Sequence, residues 1–120
     1  SHDPEQVRAY REDPLVHGSV SAELVHWMRC SGAESISRAA GLTRPTLLIG
    51  GAGDEVVDPQ AWQELAQAAP PTLLRKVVLE GGLHELFNET ARWREPAIAT
   101  LDDWLVSLPD MAADSGGRPG

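Results

Sequence analysis

Apolar positions in the first forty residues recur at helical spacing, whereas from Thr43 onward they gather in short blocks between glycine- and proline-rich turns. Asp3 before Pro4, with Gln6 three residues after the aspartate, predicts a capped helix running to about Glu12, which Asp13-Pro14 stops. Val20, Leu24, Trp27 and Met28 fall on one face of a second helix behind the cap candidates Ser19 and Ser21, with Gly32 as its expected end. A third short helix is expected over Ala33 to Ala40, leaving through a left-handed Gly41. Pro45 then precedes the apolar run Thr46-Leu47-Leu48-Ile49 and the turn Gly50-Gly51-Ala52-Gly53, the pattern of a strand buried on both faces that enters a loop. Asp58 and Pro59 open a helix with the stripe Trp62, Leu65, Ala66 and Ala69, and Pro70-Pro71 closes it. A second strand is expected over Leu74 to Leu79, followed by the loop Glu80-Gly81-Gly82-Leu83-His84. The last helix is expected to open near Glu95-Pro96 and to bury Ile98, Leu101, Trp104 and Leu105.

Strand, helix and strand in that order form a right-handed βαβ unit with parallel strands. Two parallel strands leave open edges, and each buried backbone group left unpaired costs about 1–3 kcal/mol. The expected fold class is therefore α/β and the domain incomplete, with further strands supplied by an upstream segment. Residues 1–42 read as a helical segment, 43–108 as part of the core, and 109–120, which lack apolar periodicity, as a disordered tail.

The formal net charge of −8 over 120 residues argues against a nucleic-acid backbone or an anionic membrane surface as partner. No run reaches the roughly 18 apolar residues of a membrane span, so no integral membrane segment is expected, and the charged first residues do not read as a secretory signal. Cys30 is the sole cysteine, which excludes an internal disulfide and a cysteine metal cluster.

Ligands of parallel α/β sheets collect at the carboxyl ends of the strands, where the loops 50–58 and 80–88 both lie. On neighbouring strands about 4.8 Å apart, Asp54 and His84 come within hydrogen-bonding reach. An aspartate accepting from one imidazole nitrogen fixes the tautomer and leaves the other nitrogen to take a proton from a nucleophile. Asp58 reads as a helix cap rather than a second acid, while Glu85, Asn88 and Glu89 read as favouring the start of the following helix. His17 and His26 read as surface or cap residues. A metal held by Asp54, Asp58, His84 and Glu85 is disfavoured because no i, i+4 histidine pair anchors it, so neither a metal nor a cofactor is expected.

The sequences G-A-G-D-E-V-V-D-P at 51–59 and G-G-L-H-E-L-F-N-E at 81–89 resemble the acid and histidine motifs of bacterial monoacylglycerol lipase and lysophospholipase-type α/β-hydrolases. Tyr10 to His17 resembles the cap or lid region that precedes their last strands, so the resemblance covers about residues 2 to 106. It implies the carboxyl-terminal βαβα portion of a hydrolase sheet preceded by cap helices, with Asp54 as triad acid and His84 as general base. The implied substrates are acylglycerols or lysophospholipids. The nucleophile elbow G-x-S-x-G of the family has no counterpart here, since Gly18-Ser19-Val20-Ser21-Ala22 lacks the second glycine, and the oxyanion-hole segment also lies upstream. The chain alone is thus expected to be inactive without the amino-terminal half as partner. Peptidase, epoxide hydrolase or acyltransferase chemistry stays open, as does a non-catalytic truncated or strand-donating product. A cytoplasmic location is expected, while the oligomeric state is left open.

Overall fold

A computed structural model describes residues 1–108; the tail expected over 109–120 lies outside them. Helix α1 covers Pro4–Glu12 and α2 Ala22–Arg38, followed by a 3-10 turn at Ala39–Gly41. Strand β1 (Thr46–Gly51), helix α3 (Pro59–Ala68) and strand β2 (Leu74–Leu79) form the βαβ unit, and a 3-10 turn at Leu86–Asn88 leads into α4 (Ala91–Ser107).

The caps follow from the sequence. Asp3 accepts from the Glu5 N–H ahead of Pro4, Ser21 accepts from Leu24, and Asp58 accepts from Gln60 ahead of Pro59. Each satisfies an amide that the first helical turn leaves unpaired. The strands are parallel neighbours in register from Thr46 opposite Leu74 to Gly51 opposite Leu79. α3 and α4 both pack on this pair of strands, and α2 packs on α3.

Three expectations about helix boundaries and turns are corrected. Gly32 does not end the second helix, which continues to Arg38, and no third helix starts at Ala33. A single helical glycine costs about 1 kcal/mol, less than the surrounding turns supply, and the Arg38–Glu34 ion pair at 3.0 Å spans the last of them. Nor is Gly41 left-handed: among the described residues Gly81 alone has a positive φ, 70°. Finally, α4 opens at Ala91 rather than at Glu95, because Thr90 receives the first helical bonds from Trp93 and Arg94, both 3.0 Å, and Pro96 is carried inside the helix.

The inner face of α4 also differs in part from the expected one. Ala97 is fully buried and Trp93, Leu101 and Trp104 are half-buried, while Ile98 and Leu105 face outward. The apolar face expected on α2 is likewise exposed at Leu24, Trp27 and Met28, and Val20 precedes the helix altogether. Residues 46–49 of β1 are half-buried rather than enclosed on both faces. The two strands have no third neighbour among the described residues, so their outer edges carry unpaired backbone groups.

Candidate active site

Two loops leave the carboxyl ends of β1 and β2 side by side. They are laced by backbone bonds from Ala52 N–H to the Leu79 carbonyl and from Gly53 N–H to the Gly82 carbonyl, each 2.9 Å. Gly51 makes this approach feasible, because a Cβ there would overlap the Gly82 carbonyl. Gly81, at φ 70°, supplies the left-handed turn that sends the second loop back over the strand ends.

Asp54 stands three residues beyond β1 and His84 five beyond β2. The His84 Nδ1 lies 2.8 Å from Asp54 Oδ2. The other carboxylate oxygen accepts from the N–H groups of Val56 at 2.8 Å and Val57 at 3.0 Å. The Asp54 side chain is 1% exposed and that of His84 is 46% exposed, so the acid is locked inside and the imidazole reaches the surface. Burial pushes the Asp54 carboxyl up, yet the bonds from His84, Val57 and Val56 and the imidazole charge outweigh it, leaving the group below its ordinary 3.8. An ionised carboxylate has no proton to give, so Nδ1 carries the hydrogen, and in the neutral form of the ring the lone pair is on Nε2. Such a histidine can take a proton at Nε2 and have the resulting cation stabilised through Nδ1.

A cavity of about 790 Å³ opens beside the imidazole, lined by His84, Val56, Val7, Tyr10 and Val16 among others. α1 and the segment after it thus form one wall, and the His84 loop forms another. Three serines of the α2 region are engaged away from His84. Ser35 and Ser37 donate to helical carbonyls of Ser31 and Glu34, both at 2.8 Å, and Ser21 caps α2. Asp58 caps α3, while His17 and His26 are exposed.

The group of Glu85, Asn88 and Glu89 departs from expectation. Asn88 donates to Glu85 at 3.1 Å, but Glu89 is fully buried and turned toward His2. Its carboxylate accepts the His2 N–H at 2.9 Å and the Thr90 N–H at 3.3 Å, and the His2 Nδ1 lies 3.1 Å away. Only the Thr90 bond serves the helix start. No local pattern marks Glu89, because its main partner lies 87 positions away.

A parallel βαβ unit with a hydrogen-bonded Asp–His pair at the carboxyl edge of its strands has the arrangement of the final part of an α/β-hydrolase. The sequence profile of the family described as "Serine aminopeptidase, S33" matches residues 1–91, and the chain belongs to that α/β-hydrolase family. It is 32% identical over 108 residues to the monoacylglycerol lipase of Mycolicibacterium smegmatis, covering 89% of this chain and 38% of that protein. An uncharacterized abhydrolase domain-containing protein of Dictyostelium discoideum is 29% identical over 106 residues, which are 88% of this chain and 11% of that one. The crystal structure of the Paleococcus ferrophilus monoacylglycerol lipase superposes with a TM-score of 0.79 at 27% identity, covering 88% of this chain and 41% of that chain. The chain therefore corresponds to less than half the length of the lipases it matches.

Proposed function

We propose that the chain is the carboxyl-terminal portion of a serine ester hydrolase acting on monoacylglycerols or lysophospholipids, in which Asp54 is the triad acid and His84 the general base. The reading is carried by the 2.8 Å bond from a half-exposed imidazole to a buried carboxylate at the carboxyl ends of adjacent parallel strands. The name carried by two relatives favours the glyceride substrate. In this reading residues 1–42 belong to the cap and wall an acyl-chain pocket, while residues 43–108 belong to the hydrolase core. A serine outside these 120 residues attacks the ester carbonyl, and His84 takes its proton at Nε2 and returns it to the leaving alcohol. Water then enters by the same proton path in reverse, releasing the fatty acid. The chain alone lacks the nucleophile elbow and the oxyanion hole, so it turns over nothing.

The family description favours a second reading, hydrolysis of an amino-terminal peptide bond by the same acid and base. The two are separated by assaying the protein expressed from its full reading frame against 1-monooleoylglycerol, a short-chain nitrophenyl ester and an amino-acid nitroanilide. Glyceride and ester turnover with no nitroanilide cleavage is expected, together with a loss of about 10⁶ in kcat on His84→Ala. Unchanged ester turnover in that variant would sink the assignment of His84, and preferential nitroanilide cleavage would replace the substrate class.

A further inference from the structure

The loop that presents His84 is held at both ends by groups that take no direct part in the proposed proton transfer. At its start, the Trp93 indole N–H donates to the Glu80 carbonyl at 2.9 Å, and the ring lies against Gly81 and Gly82. At its end stands the fully buried Glu89, with its bonds to the His2 backbone, the His2 ring and Thr90. The same His2 ring stacks on Trp93 with centroids 4.3 Å apart and planes 14° from parallel. Ser1 Oγ adds a bond to the Asn88 carbonyl at 2.7 Å. Ser1 and His2 therefore lie along the end of the His84 loop, and His2 touches both of its anchors.

A glutamate in a surface loop ordinarily keeps its carboxylate in water, because burying an ionised group without partners is costly. Glu89 is kept inside by two backbone amides and an imidazole, and the Thr90 contact is the longest of these. Service to the start of α4 alone would require neither the burial nor His2.

We propose that Glu89 is a positioning residue for His84: together with His2 and Trp93 it fixes both ends of the 80–89 loop and ties that loop to the segment leading into α1. The inference rests on the reading of His84 as general base. Because α1 lines the cavity beside the imidazole, one carboxylate sets the base and one wall of the site together.

The test uses Glu89→Ala, Glu89→Gln, His2→Ala and His84→Ala in the protein expressed from its full reading frame. Steady-state kinetics on a short-chain nitrophenyl ester are combined with proton NMR of the far-downfield Nδ1–H resonance of His84. Glu89→Ala is expected to lower kcat about 10–100-fold with KM changed less than about threefold, and to broaden or remove the downfield proton. Glu89→Gln, which keeps the shape and one acceptor oxygen, recovers most of that loss, while His2→Ala reproduces part of it. Should Glu89→Ala fail to fold, the glutamine and His2 variants decide by the same two readouts. Wild-type kcat and an intact downfield proton in the Glu89 and His2 variants, with His84→Ala inactive, overturn the positioning role and leave the assignment of His84 standing. Full turnover in His84→Ala instead defeats the underlying reading, and the downfield proton still reports whether Glu89 holds the loop.

Discussion

The two carboxylate oxygens of Asp54 have different partners, and in the proposed function only one of them serves the chemistry. Oδ1 closes the turn by accepting from Val56 and Val57, and Oδ2 faces His84. Asp54→Asn keeps the first function and fails in the second, since an amide N–H₂ opposite Nδ1 selects the wrong imidazole tautomer. A loss of about 10⁴ in kcat with a melting temperature within a few degrees of wild type is expected, checked by ester kinetics and calorimetry. The acid also stabilises the fold. Its folded pKa lies below the ordinary 3.8, so its contribution is fully present above the unfolded value and disappears as pH falls through the folded one. Glu89 behaves alike below its ordinary 4.5, since the bonds from His2 and Thr90 outweigh the burial that pushes it up. Chemical denaturation between about pH 5 and pH 2 should lose less stability in Asp54→Asn and Glu89→Gln than in wild type. The meeting of Asp54 and His84 was legible in the sequence because glycine turns and two short strands fix where each must emerge. Glu89 was not, since its burial depends on a partner at the opposite end of the chain.

Among the elements, boundaries set by a side-chain cap or a proline pair were legible, as at Asp3, Asp58 and Pro70-Pro71. Boundaries inferred from glycine were not. Gly32 lies within a continuous helix, and a Cβ built there meets no atom within 4 Å. Gly32→Ala should therefore raise stability by about 0.5–1 kcal/mol, read from the shift of a urea midpoint; a drop would restore the break expected at that position. Gly51 behaves oppositely, because its missing side chain is the space that the Gly82 carbonyl occupies. Gly51→Ala should cost about 1–3 kcal/mol and separate the two loops, lowering kcat more than binding. The helix expected from Glu95-Pro96 was displaced for a different reason. A proline favours a first turn but does not compel one, and Thr90 starts the helix sooner while Trp93 and Ala97 fill the space beside the strands.

For the molecule as a whole, parallel pairing followed directly from the order of strand, helix and strand, and so did the edge on which the site lies. The apolar exposure of Leu24, Trp27 and Met28 did not, because helical spacing shows which residues share a face but not whether anything covers it. The chain represents 38% of the smegmatis lipase's length, and among the described residues these faces and the outer strand edges stay uncovered. Expressed alone, the 120 residues should bind a hydrophobic dye and melt over a broad range; a sharp, dye-free transition would show that they suffice for a closed core.

The proposed role of Asp54 and His84 as one proton-transfer unit is tested most directly by a double-mutant cycle on kcat for ester hydrolysis, using Asp54→Asn, His84→Ala and the combined variant. If the two act as a unit, the combined variant is no slower than His84→Ala, because the carboxylate has nothing left to orient. Losses that multiply would show that the two residues act independently and would contradict the pairing on which the proposed function stands.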